Sequence, residues 1–313
     1  MLAYREGLPQ LSGKLFLSDG GIETSLIFLE HVDLPCFAAF PLLDEATGRE
    51  TLRAYFRPYL ETAVARGVGF VLSTPTWRAS ADWGARVNYS RQALRRVNVE
   101  SVALLEELRR TYSSERTPIV IEGVLGPRGD GYKADTRMTA EEAESFHSAQ
   151  IEAFRDSAAD MIGAFTMTYP EEAIGIARAA ARNGLPAAIA FTVETDGKLP
   201  SGDTIHDAIA QVDAACNETA PAYYMINCAH PSHFDHALSA GEPWLGRVRG
   251  LRANASTMSH AELDEATELD AGDPDDLARR YRALRDRLPH LSVLGGCCGT
   301  DHRHIAAICD ACL

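Results

Sequence analysis

The sequence predicts an α/β fold made of a single (β/α)8 TIM barrel over residues 1–313, and three observations support this prediction. Short apolar runs alternate with helical patterns along the chain, which is typical of a parallel sheet. Eight such runs can be counted, the number of strands in this barrel. The distinctive polar residues follow the ends of these runs, where barrel enzymes place their active sites. An open, doubly wound sheet is the alternative, although no Gly-x-Gly-x-x-Gly follows the first run.

The predicted strands end at polar or turn-forming residues. We place them at residues 14–18, 70–72, 118–124, 160–166, 187–193, 223–226, 248–253 and 291–294. Between the strands, apolar residues recur at spacings of three and four, as over residues 52–63, and this spacing indicates amphipathic helices. Thr139 with Glu142 predicts a capping box, Pro170 suits the first turn of a helix, and a last helix is predicted from near His302.

Composition and charge exclude several classes of function. The 46% content of hydrophobic residues is sufficient for a large core. A formal net charge of -14 argues against nucleic acid or an anionic membrane as a partner, because both are bound by basic patches. No apolar run approaches the roughly 18 residues of a membrane span. The seven cysteines, without a signal peptide, favour reduced thiols in the cytoplasm over a disulfide framework.

The most informative motif is Gly-Gly-Cys-Cys-Gly, which places Cys297 and Cys298 directly after the last predicted strand. The glycines allow a tight turn and a close approach of the backbone to a ligand. Adjacent cysteines rarely form a disulfide with each other, because their Cβ atoms diverge. Two thiols at one strand end therefore indicate a site for a soft metal, with Zn²⁺ the best fit. Cys228, after the sixth predicted strand, is the best candidate for a third ligand. Three thiolates leave one position open, as in catalytic zinc sites.

Each cysteine also has an interpretation without a metal, because free cysteine is often a small buried hydrophobe. Cys309 and Cys312 could complete a four-thiolate structural site with the adjacent pair, which would suit a non-catalytic binding or scaffolding protein. Both also fall on the apolar stripe of a helix, and we favour core positions for them. Cys36 and Cys216 have no partner pattern, so we expect both to be packing residues.

Polar and aromatic residues after other strands are candidates for substrate binding. Asp19, which precedes two glycines, could present a carboxylate to an ammonium group, or it could only form a turn. Glu194 is ambiguous in the same way. Asn227 and Asn254 could orient a bound amino acid or satisfy loop backbone. Trp77 could offer its face to a cation or pack on the rim of the barrel.

Histidines near the cysteine motifs are weaker candidates. They could supply a further metal ligand or bind substrate, although helix capping and solvent exposure are commoner for such positions. The four residues are His230, His233, His302 and His304. His206 and His260 have no supporting context.

Together, these motifs resemble the homocysteine S-methyltransferase family over nearly the whole chain. The matching residues are Asp19-Gly20-Gly21 with Thr24, Gly126-Pro127 with Gly129, Ile226-Asn227-Cys228, Asn254, and Gly295-Gly296-Cys297-Cys298 with Thr300. The resemblance implies a zinc-dependent (β/α)8 barrel with Cys228, Cys297 and Cys298 as the metal ligands. It also implies methyl transfer from a sulfonium or quaternary-ammonium donor, of the S-methylmethionine, S-adenosylmethionine or betaine type. The acceptor would be the zinc-bound thiolate of homocysteine, and the product methionine.

The resemblance and the strand ends together give a set of candidate residues. We expect catalytic roles for Asp19, Asn227 and Glu194, and substrate-binding roles for Gly20, Gly21, Thr24, Trp77 and Asn254. The expected partners are a small-molecule thiol acceptor and a methyl donor. The sequence leaves the donor and the oligomeric state open.

Two positions depart from the family pattern. Family members commonly carry a Glu after the fourth strand that holds the homocysteine amino group, whereas residues 163–168 of this chain contain no carboxylate. The Glu that usually follows Asp-Gly-Gly-x-x-Thr is replaced by Ser25. Either another acid such as Glu194 takes over this role, or the acceptor is a different thiol.

Overall fold

A computed structural model describes residues 4–239 and 241–313 and contains a closed barrel of eight parallel strands. The strands are β1 Phe16–Ser18, β2 Gly69–Ser73, β3 Ile119–Leu125, β4 Met161–Met167, β5 Ala187–Phe191, β6 Tyr223–Asn227, β7 Val248–Ala253 and β8 Val293–Gly296. They pair in chain order, and β1 closes the barrel by pairing with β8. Each predicted strand overlaps an observed one, so the predicted (β/α)8 barrel is confirmed. Residues 1–3 and 240 of the predicted domain lie outside the described residues.

A helix follows each strand of the described chain. The helices that follow the eight strands in order are α1 Ala46–Arg66, α2 Arg91–Tyr112, α3 Ala140–Arg155, α4 Pro170–Arg182, α5 Ile205–Cys216, α6 Pro231–Phe234, α7 Pro274–Arg287 and α8 His302–Cys312. Shorter helices lie in the loops at Ile22–Thr24, Ala81–Arg86 and His260–Glu265. The predicted capping box opens α3, where Thr139 Oγ1 accepts the Glu142 N–H at 3.2 Å. Pro170 is the first residue of α4, also as predicted. Within the described ranges, no helix is long and apolar enough to cross a membrane.

The interior of the barrel changes from apolar to polar towards the carboxyl ends of the strands. Phe16, Val71 and Val120 belong to an apolar cluster inside the barrel, separate from the larger core between the sheet and the helices. Because side chains on a strand alternate in direction, residues two positions further on face the same interior. Those residues are polar: Ser18, Ser73 and Glu122, joined by Arg252 from β7. This polar layer forms the floor beneath the mouth of the barrel.

The cysteines outside the predicted metal site follow the expected pattern with one exception. Cys216, Cys309 and Cys312 are buried, with Cys309 and Cys312 on the core-facing side of α8. Cys36 is exposed, so its prediction as a packing residue was wrong. It lies on a short turn, Pro35–Phe37, with a φ of 57°, and none of the three residues of this turn is buried.

Candidate metal centre and substrate cavity

A cavity of about 400 Å³ opens at the carboxyl ends of the strands, above the polar layer. Two parts of its lining differ in chemistry. We call the first the sulfur wall; it consists of Cys228, Cys297, Cys298 and Tyr132. We call the second the charged wall; it consists of Asp19, Glu23, Arg78 and Arg252. The cavity therefore lies at the end of the barrel where the sequence predicted the site.

The three predicted metal ligands converge on the sulfur wall. Their Sγ atoms all lie within 4.8 Å of one another, and residues 4–239 and 241–313 contain no other group of three His, Cys, Asp or Glu ligand atoms so close together. A disulfide joins Cys228 to Cys297, whose Cα atoms are 5.3 Å apart, and Cys298 Sγ lies 3.9 Å from Cys228 Sγ. The expectation of reduced thiols is therefore wrong for this pair, because the ends of β6 and β8 bring them within bonding reach.

Hydrogen bonds to its carbonyl group hold Cys228 in an unusual backbone conformation. Its φ is 54°, in the left-handed region that residues other than glycine rarely occupy. The carbonyl oxygen accepts from Asn254 Nδ2 at 3.0 Å and lies 2.8 Å from His260 Nε2. The other ring nitrogen of His260, Nδ1, lies 3.1 Å from Glu194 Oε1. Asn254 and Glu194 thus act on the backbone of Cys228, and neither lines the main cavity.

Two glycines allow the loop after β1 to pack directly on the loop after β8. A Cβ atom on Gly20 would lie 2.6 Å from the Thr300 carbonyl oxygen. The Gly21 N–H donates to that same oxygen at 3.0 Å, and the Gly299 N–H donates to Thr24 Oγ1 at 3.1 Å. Gly20, Gly21 and Thr24 line the cavity and fix the charged wall against the cysteines.

The environment of Cys298 bears on metal binding. Burial raises the pKa of its thiol from 9.0 to about 11, and the Tyr132 hydroxyl lies 3.6 Å from its Sγ. A thiol of this kind is protonated at neutral pH, so a soft cation is needed to hold it as thiolate. The three sulfurs form a donor set that fits Zn²⁺ once the disulfide is reduced, because a disulfide sulfur carries no thiolate charge.

On the charged wall, Asp19 already has partners for both of its oxygen atoms. Oδ1 accepts from Arg252 Nη2 at 2.8 Å, and Oδ2 accepts from the Tyr55 hydroxyl at 3.1 Å. Burial lowers the pKa of Arg252, but the charges of Asp19 and Glu122 outweigh this effect and raise it. Asp19 is 2% exposed. The carboxylate that the sequence predicted for an ammonium group is therefore neutralised by a guanidinium of the same chain.

Glu23 and Arg78, in contrast, have unused bonding capacity. Burial raises the pKa of Glu23 to about 7, and within the described chain no other side chain bonds its carboxylate. The Arg78 guanidinium lies between Trp77 and Trp83, at 4.0 and 3.5 Å from the ring centroids. Its Nε is buried without a hydrogen-bond partner, and burial lowers its pKa to about 10. Both residues face the cavity.

Two further predicted residues line the cavity but are engaged by the protein itself. Asn227 Oδ1 accepts the Thr166 N–H at 2.9 Å, and Asn227 Nδ2 donates to Thr166 Oγ1 at 3.0 Å. Thr166 lies in the segment where the family pattern places a Glu. Arg78 covers one face of Trp77, and the Trp77 indole N–H donates to the Phe165 carbonyl oxygen at 3.3 Å.

None of the four histidines near the cysteine motifs lines the cavity. His230 caps α6 by accepting from the Ser232 N–H, and His304 completes a capping box with Asp301 at the start of α8. His233 Nε2 lies 3.0 Å from the Thr257 carbonyl oxygen. His230 and His304 thus match the capping alternative, and His302 is exposed, which was the other alternative.

Sequence reasoning missed Glu23, Arg78 and Arg252 of the charged wall, and the contact of His260 with Cys228. A charged residue inside a buried strand was the available signal for Arg252, because such a residue needs a buried partner. Glu23 stands inside the Asp-Gly-Gly-x-x-Thr motif, at a variable position. No local pattern distinguishes Arg78 or His260.

Comparison with known proteins identifies the family. A family model described as homocysteine S-methyltransferase matches residues 16–312. The chain belongs to the homocysteine S-methyltransferase family. It is therefore a methyltransferase, as the resemblance predicted.

Solved structures of the homocysteine methyltransferase MmuM from Escherichia coli share the fold. The oxidized form superposes with a TM-score of 0.74 at 21% identity, covering 95% of both chains. The metallated form gives 0.70 at 19% identity, covering 95% of this chain and 96% of that one. No curated protein sequence matches this chain.

Proposed function

We propose that this chain is a zinc-dependent S-methyltransferase that moves a methyl group from a sulfonium or quaternary-ammonium donor to homocysteine, giving methionine. The convergence of Cys228, Cys297 and Cys298 on the wall of the cavity carries this proposal. Membership of the family supports it. So does the existence of both a metallated and an oxidized form of the E. coli enzyme, which has the same fold.

A thiol must lose its proton before it can attack a methyl group. A free thiol with a pKa of about 8.5 is mostly protonated at neutral pH. Zn²⁺, when bound by the three cysteines, would supply the positive charge that holds the acceptor sulfur as thiolate. The acceptor sulfur then forms a bond to the methyl carbon while the bond from that carbon to the donor breaks. The donor leaves as a neutral thioether or tertiary amine, and the thiol proton passes to solvent.

The residues of the chain contribute by positioning the reactants. Hydrogen bonds to the Cys228 carbonyl fix the sulfur wall, and the contacts of Gly20 and Gly21 fix the loop opposite. Both walls belong to one barrel and face one cavity, so the two substrates would meet in a constrained geometry. Orientation of this kind can supply a large part of the rate enhancement.

The charges of the cavity favour a cationic donor. Its lining carries six carboxylates and two guanidinium groups: Asp19, Glu23, Asp130, Asp264, Glu268 and Asp270, with Arg78 and Arg252. Excess negative charge in a cleft raises the local concentration of cations. Because Arg78 already covers one face of Trp77, this charge supports donor binding better than the predicted contact with the indole ring.

The test is methyl transfer by reduced protein loaded with zinc. The protein is treated with a phosphine reductant, given an equimolar amount of Zn²⁺, and incubated with homocysteine and each methyl-labelled donor: S-methylmethionine, S-adenosylmethionine or betaine. We expect labelled methionine with at least one donor, and none without reductant and zinc. Absence of methionine with every donor would overturn the proposed reaction. Other small thiols are tested in parallel. If these are methylated and homocysteine is not, methyl transfer is correct and only the proposed acceptor is wrong.

A further inference from the structure

We propose that Glu23 and Arg78 bind the charged head group of the amino-acid acceptor, with Glu23 on its ammonium and Arg78 on its carboxylate. The inference rests on the proposed function. It names the residues of this chain that select an α-amino thiol over a simple thiol. Arg78 lies outside the motifs that carry the resemblance to the family, and Glu23 occupies a position that one of those motifs leaves unspecified.

Two carboxylates in and near the cavity already have partners within the chain. Both oxygen atoms of Asp19 are engaged, by Arg252 and by Tyr55. Glu194 lies outside the main cavity and contacts His260. An ammonium ion gains little from a carboxylate that another cation has neutralised, since the two cations compete for one charge.

The remaining acids of the cavity lie on its outer side. Asp130 and Asp270 accept backbone N–H groups at 2.8 and 3.0 Å, which fixes them in their own loops. Asp264 and Glu268 are exposed on the segment that follows β7. Glu23 is half-buried and has no partner side chain in the described chain, although its carboxylate also bonds its own backbone N–H.

Glu23 also lies near the cysteines. Its neighbours Gly21 and Thr24 bond directly to the loop after β8, and a Cβ atom on Gly21 would lie 2.5 Å from the Cys297 carbonyl oxygen. Only a short alkyl chain separates the sulfur of homocysteine from its ammonium group. A residue that binds this ammonium must therefore lie beside the thiol site, as Glu23 does.

Arg78 provides the complementary charge. Its guanidinium is held between two tryptophan rings, and its buried Nε has no acceptor. Glu23 and Arg78 belong to the same wall of the cavity and stabilise each other's charged form, but they form no ion pair in the described chain. Two opposite charges separated by a gap match a zwitterion, whose ammonium and carboxylate lie side by side. Each would gain a charge-assisted hydrogen bond.

The test measures binding, so that it does not depend on zinc or turnover. Calorimetry on the full-length, reduced, metal-free protein compares three ligands: methionine, 4-(methylsulfanyl)butanoate, which lacks the ammonium, and 3-(methylsulfanyl)propylamine, which lacks the carboxylate. We expect wild-type protein to bind methionine about 10-fold or more tightly than either analogue. Glu23→Gln should abolish the preference over the butanoate and leave butanoate affinity unchanged. Arg78→Gln should do the same for the propylamine.

Glu30→Gln is the matched control, because Glu30 is exposed on the same segment and does not line the cavity. It should bind all three ligands like wild type. Arg78 packs between two rings, so Arg78→Gln could fail to fold. In that case the test rests on the preference of wild type for methionine over the two analogues and on the loss of this preference in Glu23→Gln. Equal loss of affinity for all three ligands in Glu23→Gln would overturn the inference.

Kinetics separates this inference from the proposed function. Glu23→Gln should raise the KM for homocysteine about 10-fold or more and leave the KM for the donor unchanged. A rise in donor KM alone would assign Glu23 to the donor and overturn the inference. If wild type methylates homocysteine and 4-sulfanylbutanoate equally well, the inference fails and the function stands. If no thiol is methylated but the binding preferences hold, the function fails and the inference stands.

Discussion

The sulfur wall and the charged wall face the same cavity, but their side chains have different partners. The sulfurs of the three cysteines lie against one another, and hydrogen bonds to the Cys228 carbonyl fix the backbone beneath them. The charged wall contains one neutralised pair, Asp19 with Arg252, and two groups without a direct partner side chain, Glu23 and Arg78. The cysteines and Asp19 match the family motifs, Glu23 occupies a position that one motif leaves unspecified, and Arg78 and Arg252 lie outside them. On the proposed roles, the residues that bind the acceptor head group are not the ones that the family motifs specify.

The largest expected effect concerns the sulfur wall. Cys298→Ala removes one of three converging sulfurs, and we expect zinc affinity to fall by well over the roughly 10–100-fold that loss of an outer-shell partner causes. Methyl transfer should be lost with the metal. Cys309→Ala is the matched control, because Cys309 is buried in the core of α8. Zinc content of the reduced proteins, measured by mass spectrometry, checks both. Loss of zinc from Cys309→Ala as well as from Cys298→Ala would point to the four-thiolate structural site.

The next effect tests the neutralised pair on the charged wall. Asp19→Asn leaves the buried Arg252 without its closest counter-charge, and such a loss destabilises a protein by roughly 3–5 kcal/mol. We expect the low end of this range, because Glu122 also stabilises the charge of Arg252. Urea unfolding at neutral pH gives the free energy. Asp156→Asn, at the exposed ion pair with Arg95, should leave the free energy of unfolding nearly unchanged. Equal costs for the two variants would contradict a buried pair.

A smaller effect on stability, which depends on pH, comes from Glu122 in the polar layer beneath the charged wall. Burial raises its pKa from 4.5 to about 7 in the folded protein. The folded state then binds this proton more tightly than the unfolded state, so stability falls as pH rises from about 4.5 to about 7 and levels off above. Glu122→Gln removes this contribution and should be more stable than wild type by about 1–3 kcal/mol at pH 8. The pKa of Glu23 is also raised by burial, so the stability of Glu122→Gln should still fall with rising pH, but less steeply than that of wild type.

Unfolding of Glu122→Gln and wild type at a series of pH values checks this prediction. The amide can still accept the hydrogen bond that Ser73 donates to Glu122 Oε2 at 3.0 Å, so the comparison isolates the charge. If the free energy of unfolding of Glu122→Gln changed with pH between 5 and 7 as steeply as that of wild type, ionisation of Glu122 would not lower the stability of the folded state, which would contradict the raised pKa.

The smallest expected effect concerns Glu194, the acid that the sequence offered as a substitute for the missing Glu. Glu194→Gln keeps an acceptor for His260 Nδ1, so we expect the KM for homocysteine to stay within about twofold of wild type. Steady-state kinetics with a fixed donor measures it. A large rise would mean that Glu194 reaches the acceptor and would weaken the assignment of Glu23.

The sequence was sufficient for the barrel and for the three sulfurs. Eight apolar runs ending in polar residues define a parallel barrel, and the carboxyl ends of its strands necessarily meet, which brings Cys228 to Cys297. It was insufficient for the charged wall. Strands buried on both faces show no alternation, so the inward direction of Arg252 could not be read from β7. The contact of Glu194 with His260 spans 66 positions, and no local pattern predicts it.

The most direct test of the central claim is zinc-edge X-ray absorption on reduced, zinc-loaded protein, with and without homocysteine. The account predicts a shell of three sulfurs and one lighter atom that becomes four sulfurs when homocysteine is added, because the three cysteines leave one position for the acceptor. Four sulfurs before any addition, unchanged by homocysteine, would contradict a thiol-activating site and favour a structural one.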